Sequence, residues 1–294
     1  MKNIFFSALL LAMSLLVNAQ QAPAKQEILY GQIKKEDLQK PPFSEWFDPG
    51  YDNYKADSVL SSKLKRLISD DFRLQVFLGT WCGDSRREVP RLLRLLDDIG
   101  FSQDHLQIIA LGGGDSLLKQ SPRHEEAGKG IFRVPTIIVY KSNIEINRIN
   151  EFPVMSLEAD LFAILSRQSY TPNYKSFSVI KNWMDNGALL NTNISARSLA
   201  GQLKTLTEGE NELNSLAHLL LNQEKNEEAL KIFQINYYLY PESSKVLASL
   251  GEGYFRSGDQ KNAVSNLERA LETNKDPKMV KEILAILYEA KDLK

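Results

Sequence analysis

Cys82 is the chain's only cysteine, and it lies within Gly79-Thr80-Trp81-Cys82-Gly83-Asp84-Ser85. A thiol reacts as its thiolate, and the start of a helix favours that form through unpaired N–H groups and the positive end of the helix dipole. The flanking residues supply such a start. Leu74-Gln75-Val76-Phe77-Leu78 reads as a buried strand leading in, and Val89, Leu92, Leu93, Leu95, Leu96 and Ile99 recur at helical spacing leading out. One cysteine cannot form an internal disulfide, so Cys82 is either a buried apolar filler or a free thiol. His105, His124 and His218 are scattered. No His/Asp/Glu spacing suits a metal, and no cofactor is expected.

Other polar clusters have plainer readings. Gly112-Gly113-Gly114-Asp115-Ser116 lacks the Gly-Lys-Ser/Thr ending of a phosphate loop and reads as a turn. Arg123-His124-Glu125-Glu126 reads as an exposed inserted helix. Arg86-Arg87 is either a solvated helix face or a pair that favours the thiolate and steers an acidic partner. Trp183 and the tyrosines Tyr237, Tyr238 and Tyr240 read as packing residues.

A chain of 294 residues accommodates about two domains. A formal net charge of -1 gives no footing for nucleic acid or an anionic membrane surface. The N-terminus carries Lys2, an apolar run from Ile4 to Val17, and small residues at Val17-Asn18-Ala19. That is the pattern of a cleavable signal peptide over 1–19. It predicts export to a periplasm or the outside, with no membrane attachment after cleavage.

Residues 31–167 read as an N-terminal arm attached to an alternating domain. The arm is broken by Pro41-Pro42 and Pro49-Gly50, and Trp46, Phe47 and Tyr51 should pack it onto that domain. The domain reads in order as helix 57–68, strand 74–78, helix 85–99, strand 106–111, a polar stretch 119–129 of part helix and part loop, strand 134–140, strand 145–149 and helix 157–165. This order predicts a three-layer α/β domain with a mixed sheet. Residues 168–208 read as a helical linker with helices near 174–186 and 195–206.

The remainder repeats at a spacing of 34 residues: Leu213 with Leu247, Leu216 with Leu250, Leu220 with Tyr254, Ala229 with Ala263, and Phe233 with Leu267. This resembles tetratricopeptide (TPR) repeats over 210–243 and 244–277, within an all-α unit 209–291 that ends in a capping helix. The small Ala229 and Ala263 suit helices packed closely together.

Residues 57–167 resemble the thioredoxin superfamily. Trp81 precedes the cysteine, and Cys82-Gly83-Asp84-Ser85 occupies the family's Cys-x-x-Cys position. Pro90 falls where the family's helix kinks. Val134-Pro135-Thr136 matches its cis-proline, which faces the cysteine. The resemblance implies thiol–disulfide chemistry with Cys82 as nucleophile. Trp81 and Pro135 would form an apolar ledge, and the backbone of Val134 or Thr136 would pair with a substrate peptide as an added strand. Two departures matter. Ser85 replaces the second cysteine, and Val76 replaces the family's buried acid. Serine cannot resolve a mixed disulfide, although Ser85 could hydrogen-bond the Cys82 thiolate. Asp84 would oppose that thiolate.

Two functions are compatible with these residues. The first is a monothiol oxidoreductase or isomerase acting on disulfides or mixed disulfides of other exported proteins, its second sulfur coming from an external low-molecular-weight thiol or redox partner. The second is a non-catalytic module in which the thioredoxin-like groove and the TPR surface bind exported proteins or peptides.

Overall fold

The computed structural model describes residues 27–114, 117–274 and 276–292. The targeting segment expected over 1–19 lies outside the described residues, as do Asp115 and Ser116 of the glycine turn.

The sheet grows outward from β2 (Phe72–Leu78), whose side chains alternate between two apolar environments. Leu74, Val76 and Leu78 enter the main core, while Phe77 enters a smaller one on the other face. Parallel β3 (Leu106–Ala110) sets Ile108 opposite Val76, and antiparallel β4 (Thr136–Lys141) sets Ile137 opposite Val76 from the other side. A tight turn through Ser142 and Asn143, both at positive φ, leads into β5 (Ile144–Asn150), antiparallel to β4. The short β1 (Gly31–Ile33) closes the far edge against β3. Among the described residues, five strands thus form one mixed sheet in the order β1-β3-β2-β4-β5.

The arm is more regular than its prolines suggest. After the single turn α1 (Lys35–Leu38), α2 (Ser44–Asp52) continues through both Pro49 and Gly50. Phe47 is fully buried in the main core, which holds the helix where local propensity would break it. Gly50 has a packing reason: a Cβ there would stand 3.0 Å from Cβ of Pro90. Helices α3 (Ser58–Leu67), α4 (Gly83–Ile99) and α5 (Leu157–Leu165) bury Leu64, Leu92, Leu93, Leu96, Leu161 and Ile164 in the same core.

The opposite face differs from the expected helical layer. Residues 117–134 form turns and irregular chain, and Ile131 and Val134 cover Phe77, Ile109 and Ile138. No inserted helix forms at Arg123–Glu126. Ser121 instead binds the carboxylates of Glu125 and Glu126, and Glu126 is buried. These side-chain bonds fold the segment into a turn that competes with a helix.

The rest is all helix: α6 (Lys175–Asp185), α7 (Ala196–Leu203), α8 (Glu210–Asn222), α9 (Asn226–Leu239), α10 (Ser244–Arg256), α11 (Gln260–Thr273) and α12 (Pro277–Asp292). Helices α6 and α7 pack into this unit's core. Phe177, Ile180, Trp183, Leu199 and Leu203 share one cluster with Leu213, Leu216, Ile232 and Phe233. Ala229 and Ala263 are fully buried between paired helices. Two glycines of α10 permit equally close approach: a Cβ on Gly251 would stand 2.7 Å from Cγ of Leu267, and one on Gly253 2.7 Å from Cδ2 of Phe233. Among the described residues no helix is long and apolar enough to cross a membrane.

If Phe47 anchors the arm, Phe47→Ala should cost about 3–5 kcal/mol of stability. Urea unfolding monitored by circular dichroism checks this; a loss below about 1 kcal/mol would mean that α2 contributes little to the sheet domain.

Candidate functional site

Cys82 is the N-cap of α4, with extended backbone angles (φ -91°, ψ 128°) and no side-chain cap. Its carbonyl accepts from Arg86 N–H at 3.0 Å, which starts the helix. The earlier N–H groups of the first turn have no intrahelical acceptor and remain near the sulfur. Cys82 is half-buried and packs against the smaller apolar cluster.

The sulfur faces the segment that leads into β4. Cys82 Sγ donates to the carbonyl of Val134 at 3.2 Å, and the Val134–Pro135 peptide bond is cis. Val134 and Pro135 are themselves buried, so any ledge for a substrate rests on Trp81, which is half-buried. The Trp81 indole is fixed by its Nε1–H, which donates to Leu111 O at 3.1 Å. It lies across two glycines: a Cβ at Gly79 would stand 2.6 Å from the ring, and one at Gly113 2.7 Å from it. Part of the Gly112–Gly114 run thus clears space for an aromatic ring.

Thr136 is fully buried, and its hydroxyl donates to Arg133 O at 2.7 Å. Its strand is flanked on both sides, Thr136 opposing Phe77 and Asn150, so its backbone is not free to pair with a docked peptide. Of the two residues expected to pair with an added strand, only Val134 lies outside the sheet.

Ser85 takes a different partner from the one its position suggests. It is fully buried, and its Oγ accepts from Gly79 N–H at 3.2 Å, while the thiol donates to Val134. Ser85 therefore secures the turn that presents Cys82. Asp84 is drawn toward Arg87 at 2.9 Å, which offsets its charge on the cysteine side. Arg86 points elsewhere: its Nε–H donates to Thr80 O at 2.7 Å and its guanidinium lies over the Trp46 ring. Val76 sits in the main core.

The sequence does not single out Lys119, which reaches this site from the turn after β3. Its ammonium donates to Phe132 O at 2.9 Å. Burial, then the charge of Arg133, bring Lys119 down to about 8, against the opposing pull of Cys82 and Glu151. Arg133 stacks over Tyr174, and Tyr174 donates to Glu151. A half-buried lysine in a polar stretch has no signature in sequence; the adjacent apolar pair Leu117-Leu118 is the only hint that the stretch packs. Among the described residues, no group of three or more His, Cys, Asp or Glu side chains is placed to hold a metal ion.

No protein-family model matches this chain, and no curated protein sequence matches it.

Gly113→Ala should push the Trp81 indole off its seat and cost about 1–3 kcal/mol. The Trp81 indole N–H resonance should lose its hydrogen-bonded shift, and the thermal midpoint should fall. An unchanged resonance would mean that the ring does not rest on Gly113.

Proposed function

We propose that this protein is an exported thioredoxin-like protein with a C-terminal TPR unit. It acts on disulfides or mixed disulfides of other exported proteins by a monothiol mechanism. Cys82 attacks, and an external low-molecular-weight thiol or redox partner resolves the mixed disulfide. One observation carries the reading: a half-buried thiol at a helix N-terminus stands 3.2 Å from the carbonyl that precedes a cis-proline. A structural cysteine has no need of that exposure or of unpaired N–H groups beside it. Ser85, bonded to Gly79, has the role of holding the Cys82 turn. The missing second sulfur limits the chain to exchange with a partner's thiol.

A second reading, a binding module without chemistry, has its own support. A cavity of about 270 Å³ opens along α8, α10 and α12. In it, Asn214 donates to Ser249 at 2.9 Å, while Asn214 Oδ1 is buried without a partner. His218 shares Ser249 at 3.0 Å, and its burial favours the neutral ring.

A mixed-disulfide pull-down from an exported-protein fraction separates the two. Wild type should yield partners released by reductant, and Cys82→Ala should yield none of these. Identical partner sets for the two proteins would rule out the exchange reading in favour of binding alone.

A further inference from the structure

We propose that Lys119 is the charge and proton partner of Cys82: its ammonium stabilises the attacking thiolate and then protonates the thiolate that leaves. This rests on the exchange reading above, and it supplies a proton-handling group that Val76 cannot.

The turn that carries Lys119 is tied at its base, with Gly112 N–H donating to Gln120 O at 2.8 Å and Lys119 N–H to Gly112 O at 3.0 Å. Its ammonium and the Cys82 thiol then reach two carbonyls of a single segment, Phe132 O at 2.9 Å and Val134 O at 3.2 Å. The Val134 carbonyl can only accept, so it favours the thiol over the thiolate. Forming the thiolate therefore calls for a nearby cation, and Lys119, held on the carbonyl two residues before Val134, is placed to supply it. The Phe132 carbonyl aims the ammonium without neutralising it.

The other charged and titratable groups around the pair have partners of their own. On α4, Asp84 pairs with Arg87, and Arg86 is bound to Thr80 O. Before β4, Arg133 lies over the Tyr174 ring and 4.0 Å from the Glu151 carboxylate. After β5, Glu151 also accepts from Tyr174. Lys119, half-buried, donates instead to the same segment that the thiol meets. Having been brought down to about 8, it can release a proton near neutral pH, as a surface lysine cannot.

Exchange then runs through balanced steps. The Cys82 thiolate attacks one sulfur of a substrate disulfide; a new S–S bond forms, the old one breaks, and the leaving sulfur takes the electron pair. Lys119 gives that sulfur a proton and becomes a neutral amine. The incoming low-molecular-weight thiol returns a proton to Lys119, and its thiolate attacks the mixed disulfide and frees the Cys82 thiolate.

The test is the pH dependence of Cys82 alkylation by iodoacetamide, in the full chain, for wild type, Lys119→Met and Lys119→Arg. Lys119→Met should slow alkylation about tenfold at neutral pH and move the midpoint of the profile up by about one unit. Lys119→Arg should keep the wild-type midpoint, because it keeps the charge. It should nevertheless react slowly with oxidised glutathione, whose leaving thiolate needs a proton, and normally with an activated aryl disulfide, whose leaving thiolate does not. Equal thermal midpoints guard against a folding defect. Superimposable alkylation profiles for wild type and Lys119→Met would overturn the proposal, even if wild type exchanges readily with both disulfides. A shifted profile in a protein that traps no partners would uphold the charge pairing and defeat the exchange reading instead.

Discussion

The chain from Lys129 to Pro135 lies outside the sheet, yet its carbonyls must be satisfied, because a buried backbone acceptor without a donor is costly. Side chains from several elements do this. Arg148 donates to Lys129 O at 2.7 Å and Gly130 O at 3.2 Å, Lys119 to Phe132 O, Thr136 to Arg133 O, and Cys82 to Val134 O. The backbone N–H of Glu151 donates to Pro135 O at 2.6 Å. Arg148 is itself oriented by a two-point pair with Glu145, at 2.7 and 2.8 Å. The shape of the candidate site arises from this need. The thiol and the ammonium both reach this segment because each is a donor to one of its otherwise unpaired carbonyls.

The helical unit is tied to the same stretch. Phe132 meets Phe177 edge-on at 4.7 Å between ring centres, and Arg133 lies 4.8 Å above the Tyr174 ring. Gln120 donates to Asn222 O, and Asn150 to Asn173 O. Helix α6 is thus in direct contact with the residues that precede the cis-proline. Phe132, which α6 contacts through Phe177, stands two residues before the carbonyl that faces the cysteine.

Where one periodicity dominates, the sequence is a good guide. The leucines of α4 and the alternation in β2 and β3 report burial on one face, and the 34-residue spacing recurs as α8 beginning at Glu210 and α10 at Ser244. Contacts that no local pattern encodes are where it fails. Pro49 and Gly50 lie inside a helix because Phe47 and Tyr51 pack on the sheet domain and Pro90 sits against Gly50. The acidic run near Glu125 turns because Ser121 binds both carboxylates. At the site, Trp81, Cys82 and Val134 share one cluster, and the peptide bond before Pro135 is cis. Ser85 Oγ accepts from a backbone N–H, and the Thr136 hydroxyl donates to a backbone carbonyl. Lys119 is invisible in one dimension because its partners are carbonyls, which every residue has.

The Ser85–Gly79 hydrogen bond also limits which residue can stand at position 85. A sulfur at residue 85 would leave Gly79 N–H facing a weaker acceptor in a place fully closed to water. Gly79 cannot readily adapt, since any side chain there would collide with the Trp81 ring. A cysteine at residue 85 would therefore supply a second sulfur only by weakening the turn that presents Cys82.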